Sequence, residues 1–108
     1  MDRKKSLIQE LEQFAKVISK DYPIRKMILF GSQATGKTHK DSDVDIMIVS
    51  KKFEGVRRLD RAPDLYMRWT LNYPVDILCY TPGEFSRKKK FWGVVQQAVK
   101  EGIEIKAS

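Results

Sequence analysis

Lys26-Met27-Ile28-Leu29-Phe30-Gly31-Ser32, ten largely polar residues, then Asp43-Val44-Asp45-Ile46-Met47-Ile48-Val49-Ser50 is the stretch whose reading decides the fold. Met27 to Phe30 is a short apolar run stopped by glycine, the pattern of a strand buried on both faces. Gly31 stands where a residue without Cβ can turn tightly and let backbone N–H groups approach an anion. Ser32 adds a hydroxyl at the same point. Asp43 to Val49 reads as a second strand. Because side chains alternate along a strand, Asp43 and Asp45 share one face, about 6.8 Å apart along the chain, while Val44, Ile46 and Ile48 face a core.

Two carboxylates side by side on an apolar strand repel by about 3 kcal/mol at roughly 6 Å and an effective dielectric of about 20. A divalent cation removes that cost. A third acid sits in the same setting at Val75-Asp76-Ile77-Leu78. If that strand lies beside the second in register, Asp76 comes about 5 Å from one of the pair. Three acids on one sheet face beside a Gly-Ser turn suit Mg²⁺ and a polyphosphate.

Gly31-Ser32, the ten-residue spacer, Asp43-x-Asp45 and the later apolar-Asp76-apolar element resemble the signature of the DNA polymerase β-like nucleotidyltransferase superfamily. The size and the Leu29-Phe30-Gly31-Ser32 wording look like the minimal nucleotidyltransferases (MNT) found beside helical HEPN partners in prokaryotic toxin–antitoxin pairs. The resemblance covers about Met27 to Tyr80. It implies an α/β (α+β) nucleotidyltransferase fold, a small mixed β-sheet flanked by helices. It also implies that Asp43 and Asp45 bind two Mg²⁺ ions carrying ATP, that Gly31 and Ser32 hold the β and γ phosphates, and that Asp76 ligates metal at the attacking side and takes the acceptor's proton. The implied reaction is AMP transfer to a tyrosine of a HEPN-type toxin. Members of the minimal group often carry arginines after Gly-Ser, where this chain has Gln33, Ala34, Thr35, Gly36 and Lys37. Lys37 or Lys40 can supply the charge, though not a bidentate fork. Ser42, just before the acids, is placed to hydrogen-bond Asp43 or its backbone and completes the expected nucleotide-binding set of Gly31, Ser32, Lys37 and Ser42. Two other readings stand beside this one: a contact antitoxin that does not use its chemistry, and nucleotidyl transfer to a small hydroxylated molecule.

Gly31, four residues, then Gly36-Lys37-Thr38 also spell the P-loop pattern literally. That motif requires a long helix after Thr38, whereas His-Lys-Asp-Ser-Asp and a strand follow. The composition admits the rest: 108 residues, 42% hydrophobic, fit one domain over residues 1–108. The net charge of +7, from 21 basic and 14 acidic residues, points to an anionic partner. A nucleoside triphosphate, RNA and an acidic protein surface all fit that charge, with nucleic acid as a partner not favoured. No run of about 18 apolar residues and no apolar block at the N-terminus occurs, so a cytoplasmic, non-membrane protein is expected. His39 is the single histidine and is expected to be an exposed loop residue, and Cys79 is read as core filler.

Outside the central stretch, apolar residues at helical spacing predict an amphipathic helix over 5–19. A second helix is expected over about 63–72, with Leu65, Tyr66 and Trp69 on the sheet and Arg57, Arg58, Arg61 and Arg68 mostly on a solvated face. A third starts at Thr81-Pro82-Gly83-Glu84, which combines a capping box with proline in the first turn. Arg87 to Lys90 is a basic run, and helical spacing resumes from Phe91 to Gly102. Ile103 to Ile105 is expected as a short edge strand.

Overall fold

The computed structural model describes residues 3–36 and 43–107. In order these form α1 (Arg3–Ile18), β1 (Ile24–Phe30), α2 (Ser32–Thr35), β2 (Val44–Ser50), α3 (Pro63–Met67), β3 (Val75–Tyr80), α4 (Pro82–Lys88), α5 (Val94–Glu101) and β4 (Ile103–Glu104), with two 3₁₀ turns at Lys51–Phe53 and Arg58–Asp60. The sheet order is β3-β2-β1-β4. β1 is antiparallel to β2 and β4, and β2 is parallel to β3, so the sheet is mixed.

Alternation along the strands divides the core into two layers. Met27, Leu29, Val44, Ile46, Ile48 and Ile77 face α1, which contributes Leu7, Leu11, Phe14, Ala15 and Ile18 at helical spacing. Ile28, Met47, Val49 and Tyr80 face the opposite way, under Phe85 of α4 and Val95 and Ala98 of α5. Asp45 and Asp76 belong to this second face, at the end of the sheet where the apolar cover stops. Gly102 ends α5, yet its φ of −79° is ordinary. Glycine is needed there for room: a Cβ would run into Ala98 O and Ile28 Cγ2, where the chain crosses β1.

The segment between β2 and β3 departs from expectation. α3 ends at Met67, five residues instead of ten, because Arg68 turns back to Asp21 (2.7 Å) and Asp64 (3.0 Å), while the Trp69 ring meets Phe14 edge-on at 5.0 Å. Tyr66 is exposed, and its hydroxyl accepts the outward-facing N–H of Ile77 on edge strand β3 (2.9 Å). Arg61 is 7% exposed and so is not on the solvated face expected of it. It grips Glu84 through Nη1–Oε1 at 2.6 Å and Nη2–Oε2 at 3.1 Å, and donates to Val56 O (2.8 Å) and Cys79 O (3.3 Å). Glu84 also accepts from the Thr81 N–H and completes the expected capping box. One glutamate thus fixes the start of α4 and neutralises a buried guanidinium. Cys79 packs against the main core, and burial pushes its thiol up to about 12, as suits a core filler.

Candidate active site

Three chain segments meet at one end of the sheet: the end of β1 and the starts of β2 and β3. Phe30 pairs with Asp45 across the antiparallel ladder, and Asp45 pairs with Asp76 across the parallel one. Neighbouring strands lie about 4.8 Å apart and register partners point to the same face, so the Asp45 and Asp76 carboxylates are neighbours. The N–H of Val44 donates to Pro74 O at 2.8 Å and ties the two strand starts together. Asp43 precedes β2 by one residue and is exposed, as is Asp76, whereas Asp45 is half-buried.

Electrostatics report the same cluster. The Asp45 carboxyl is held above the usual carboxylate range first by burial, then by the charge of Asp76, then by that of Asp43. Among the described residues no three His, Cys, Asp or Glu side chains already surround a common point. The donors that do converge are all carboxylate oxygens, and two of the three belong to exposed side chains free to turn. Such a set fits a hard cation such as Mg²⁺, and the raised Asp45 shows repulsion that a cation would relieve.

Gly31 is shaped by this arrangement. Its φ of 76° and ψ of −157° fall in a region open essentially to glycine. A Cβ there would also collide with Asp45 Oδ2. Gly31→Ala is therefore expected to lower stability by about 2–3 kcal/mol, the sum of backbone strain and displaced carboxylate, measured by urea unfolding. Ser32 opens the one-turn helix α2 where the sequence predicts a polar loop from Gln33 on, and Ala34 and Thr35 close the turn by donating to Gly31 O at 3.1 and 3.3 Å. A single turn offers no periodicity to detect. α2 ends at the left-handed Gly36, and β2 returns antiparallel to β1 instead of parallel as a P-loop crossover requires; Lys37 and Thr38 of that pattern lie outside the described residues. Lys37 and Ser42, with His39 and Lys40, lie outside the described residues.

Three other arginines of the segment before β3 make contacts of their own. Arg57 pairs with Asp60, Arg68 with Asp21 and Asp64, and Arg58 lies over the Tyr80 ring at 5.5 Å. Sequence reading missed the groove beside Gly31, about 410 Å³, lined by Phe30, Thr35, Val94, Gln97, Ala98 and Glu101. Val94 and Gln97 looked like parts of an ordinary helix, since nothing local says which helix covers the Gly31 end of β1.

Residues 11–105 match the nucleotidyltransferase domain family. This chain belongs to that family. Two proteins of Methanocaldococcus jannaschii, both carried under the provisional name of protein adenylyltransferase, are similar to this nucleotidyltransferase. One is 33% identical over 95 residues, spanning 85% of this chain and 90% of its own length. The other is 30% identical over 69 residues, spanning 64% and 69%. Among solved structures, a provisionally named nucleotidyltransferase of Sulfolobus solfataricus shares the fold at a TM-score of 0.67 and 22% identity, over 94% of this chain and 80% of that one. A chain from a toxin–antitoxin crystal structure with AMP-PNP shares it at 0.55 and 22%, over 90% and 73%. The α+β nucleotidyltransferase fold, with its small mixed sheet between helices, is thus the one expected. No helix among the described residues is long and apolar enough to cross a membrane.

Proposed function

We propose that this nucleotidyltransferase transfers AMP from ATP to a tyrosine hydroxyl of a HEPN-type toxin partner in the cytoplasm, acting as its antitoxin. The observation that carries the reading is the pairing of Asp45 with Asp76 in register beside Gly31, with Asp43 adding to the same negative field. The similarity to proteins named as adenylyltransferases supports the donor chemistry, and the fold shared with a chain of a toxin–antitoxin structure with AMP-PNP supports the biological setting.

In this reading Asp43 and Asp45 would hold two Mg²⁺ ions with the triphosphate, and Asp76 would join them as a further carboxylate ligand. Bound Mg²⁺ supplies neutralisation of the charge on the entering and leaving oxygens. Gly31 lets the phosphate chain approach the backbone, and Ser32 offers a hydroxyl donor to the β and γ phosphates. Lys37 and Ser42 complete the nucleotide contacts. Asp76 takes the proton of the acceptor hydroxyl as its oxygen bonds to the α-phosphorus. The bond from that phosphorus to the β-bridging oxygen breaks, and pyrophosphate leaves. Most of the acceleration comes from positioning and charge neutralisation.

Titration calorimetry of ATP with Mg²⁺ tests the site. Wild type is expected to bind, Asp43→Asn with Asp45→Asn to lose binding, and Asp76→Asn to keep most of it while losing pyrophosphate release once an acceptor is present. Undiminished binding by the double variant would sink the assignment.

A further inference from the structure

The loop between α4 and α5 displays two large aromatic side chains to solvent: Phe91 is 69% and Trp92 96% exposed. Val94 beside them is exposed as well, so the apolar surface is contiguous, and contiguous exposed patches mark interaction sites. Immediately before them Arg87, Lys88, Lys89 and Lys90 are all exposed. Among the described residues none of these four forms an ion pair, whereas Lys26, Arg57, Arg61 and Arg68 all do. The aromatic pair is therefore framed by uncompensated positive charge.

The position of the patch matters as much as its composition. Lys88, Phe91 and Trp92 line one groove together with Tyr80. On the other side Trp92 lines a groove with Gln96, Gln97 and Lys100. That groove shares Val94, Gln97 and Glu101 with the one that reaches Phe30 and Gly31. A continuous path thus runs from Trp92 along α5 to the turn beside the carboxylates.

We propose that this surface docks an acidic segment of the partner protein, seating an apolar side chain on Phe91 and Trp92 and its carboxylates on Arg87 to Lys90. The segment then leads its acceptor hydroxyl along α5 toward Gly31 and Asp76. The delivery half of this inference rests on the transfer reading above, and the docking half stands without it. Charge selects a protein over a nucleic acid. Past Lys100, which lines the same groove, the path reaches Glu101 and then Asp43, Asp45 and Asp76, so a strand with a phosphate at every nucleotide meets repulsion at its far end. A polypeptide can keep its carboxylates at the basic end and present a neutral hydroxyl to Gln97 and Gly31. Aromatic anchors in a polar rim are also where binding energy concentrates in protein interfaces.

The test uses a fluorescently labelled random copolymer of glutamate and tyrosine, with polyglutamate and oligothymidylate as comparators, in buffer free of ATP and metal. The copolymer is expected to bind wild type more tightly than polyglutamate does, and to shift the emission of solvent-facing Trp92 to the blue. Trp69, held by its N–H bond to Tyr73 O (2.9 Å), remains as the internal reference. Trp92→Ala and, separately, the triple variant Lys88→Ala, Lys89→Ala, Lys90→Ala are each expected to weaken copolymer binding about tenfold. Circular dichroism confirms that these surface variants fold. Asp43→Asn with Asp45→Asn is expected to bind the copolymer at least as tightly as wild type, since it removes two charges that repel glutamates at the far end of the path, so failure here and failure of the transfer reading are separable. Equal affinity for copolymer and polyglutamate, an unchanged Trp92→Ala, or tighter binding of oligothymidylate with quenching of Trp92 would each overturn the proposal.

Discussion

Asp45→Asn is expected to raise the thermal midpoint of the metal-free protein by roughly 5–10 °C, while on its own weakening Mg²⁺-dependent ATP binding at least a hundredfold. The first half follows from the site without ligands. Asp45 is half-buried, no hydrogen bond from the described residues compensates its carboxylate, and Asp76 and Asp43 repel it. Asparagine keeps the shape and removes both the buried charge and the repulsion, a gain of about 1–2 kcal/mol. For a domain of this size that corresponds to the stated shift. The second half follows because an amide cannot supply the charge a hard cation requires. Scanning calorimetry in chelator, paired with ATP titration in Mg²⁺, measures both. A variant less stable than wild type without metal would show that Asp45 is a structural residue whose charge the fold needs. Opposite movements of stability and binding mark a residue retained for chemistry at the expense of the fold.

Glu84→Ala is expected to cost about 3–5 kcal/mol. The substitution strands Arg61, whose guanidinium is buried and would keep only its two carbonyl partners. It also removes the reciprocal cap at the start of α4. Replacing both partners by apolar residues, as in Arg61→Met with Glu84→Leu, is expected to recover most of the loss, since it is the unpaired charge that is expensive. Urea unfolding of wild type, both single variants and the double variant closes the cycle.

The same pair sets an acid limit. The hydrogen bonds from Arg61, followed by the Thr81 N–H and the positive charges nearby, draw Glu84 down to about 2 from an ordinary 4.5, against a smaller opposing effect of burial. A lowered carboxyl binds fewer protons folded than unfolded between those values, so its contribution is complete above about 4.5 and is lost as pH falls toward 2. Asp21, lowered chiefly by its bond from Arg68, acts in the same direction. Wild type is expected to lose stability steeply across that interval and Glu84→Ala to show a shallower slope.

How much of this was legible depends on how local each cause is. β3, the Thr81 cap and the β4 edge were readable because their signals lie within a few residues: an apolar run after Tyr73-Pro74, a Thr-Pro-Gly-Glu sequence, and a glycine followed by alternating residues. The pairing of Asp45 with Asp76 was readable only conditionally, since register belongs to two strands about thirty residues apart, and the parallel ladder satisfies the condition. α2 escaped because one turn carries no period. α3 was drawn too long because Pro63 to Leu71 has helical spacing, while its end is set by Asp21 and Phe14, far upstream. Arg61 looked like its solvated neighbours. Only a glutamate 23 positions later and two carbonyls make its burial affordable.

The outer edge of β3 has a consequence for association. An edge strand with free N–H and C=O groups is a template onto which another chain can add. Here the Ile77 N–H is already taken by the Tyr66 hydroxyl and the Cys79 carbonyl by Arg61. A stray strand arriving on that side would have to break both bonds before forming its own, which protects the nascent or crowded protein against edge-to-edge polymerisation. At the opposite edge β4 offers only Ile103 and Glu104, too short a template to hold a neighbour.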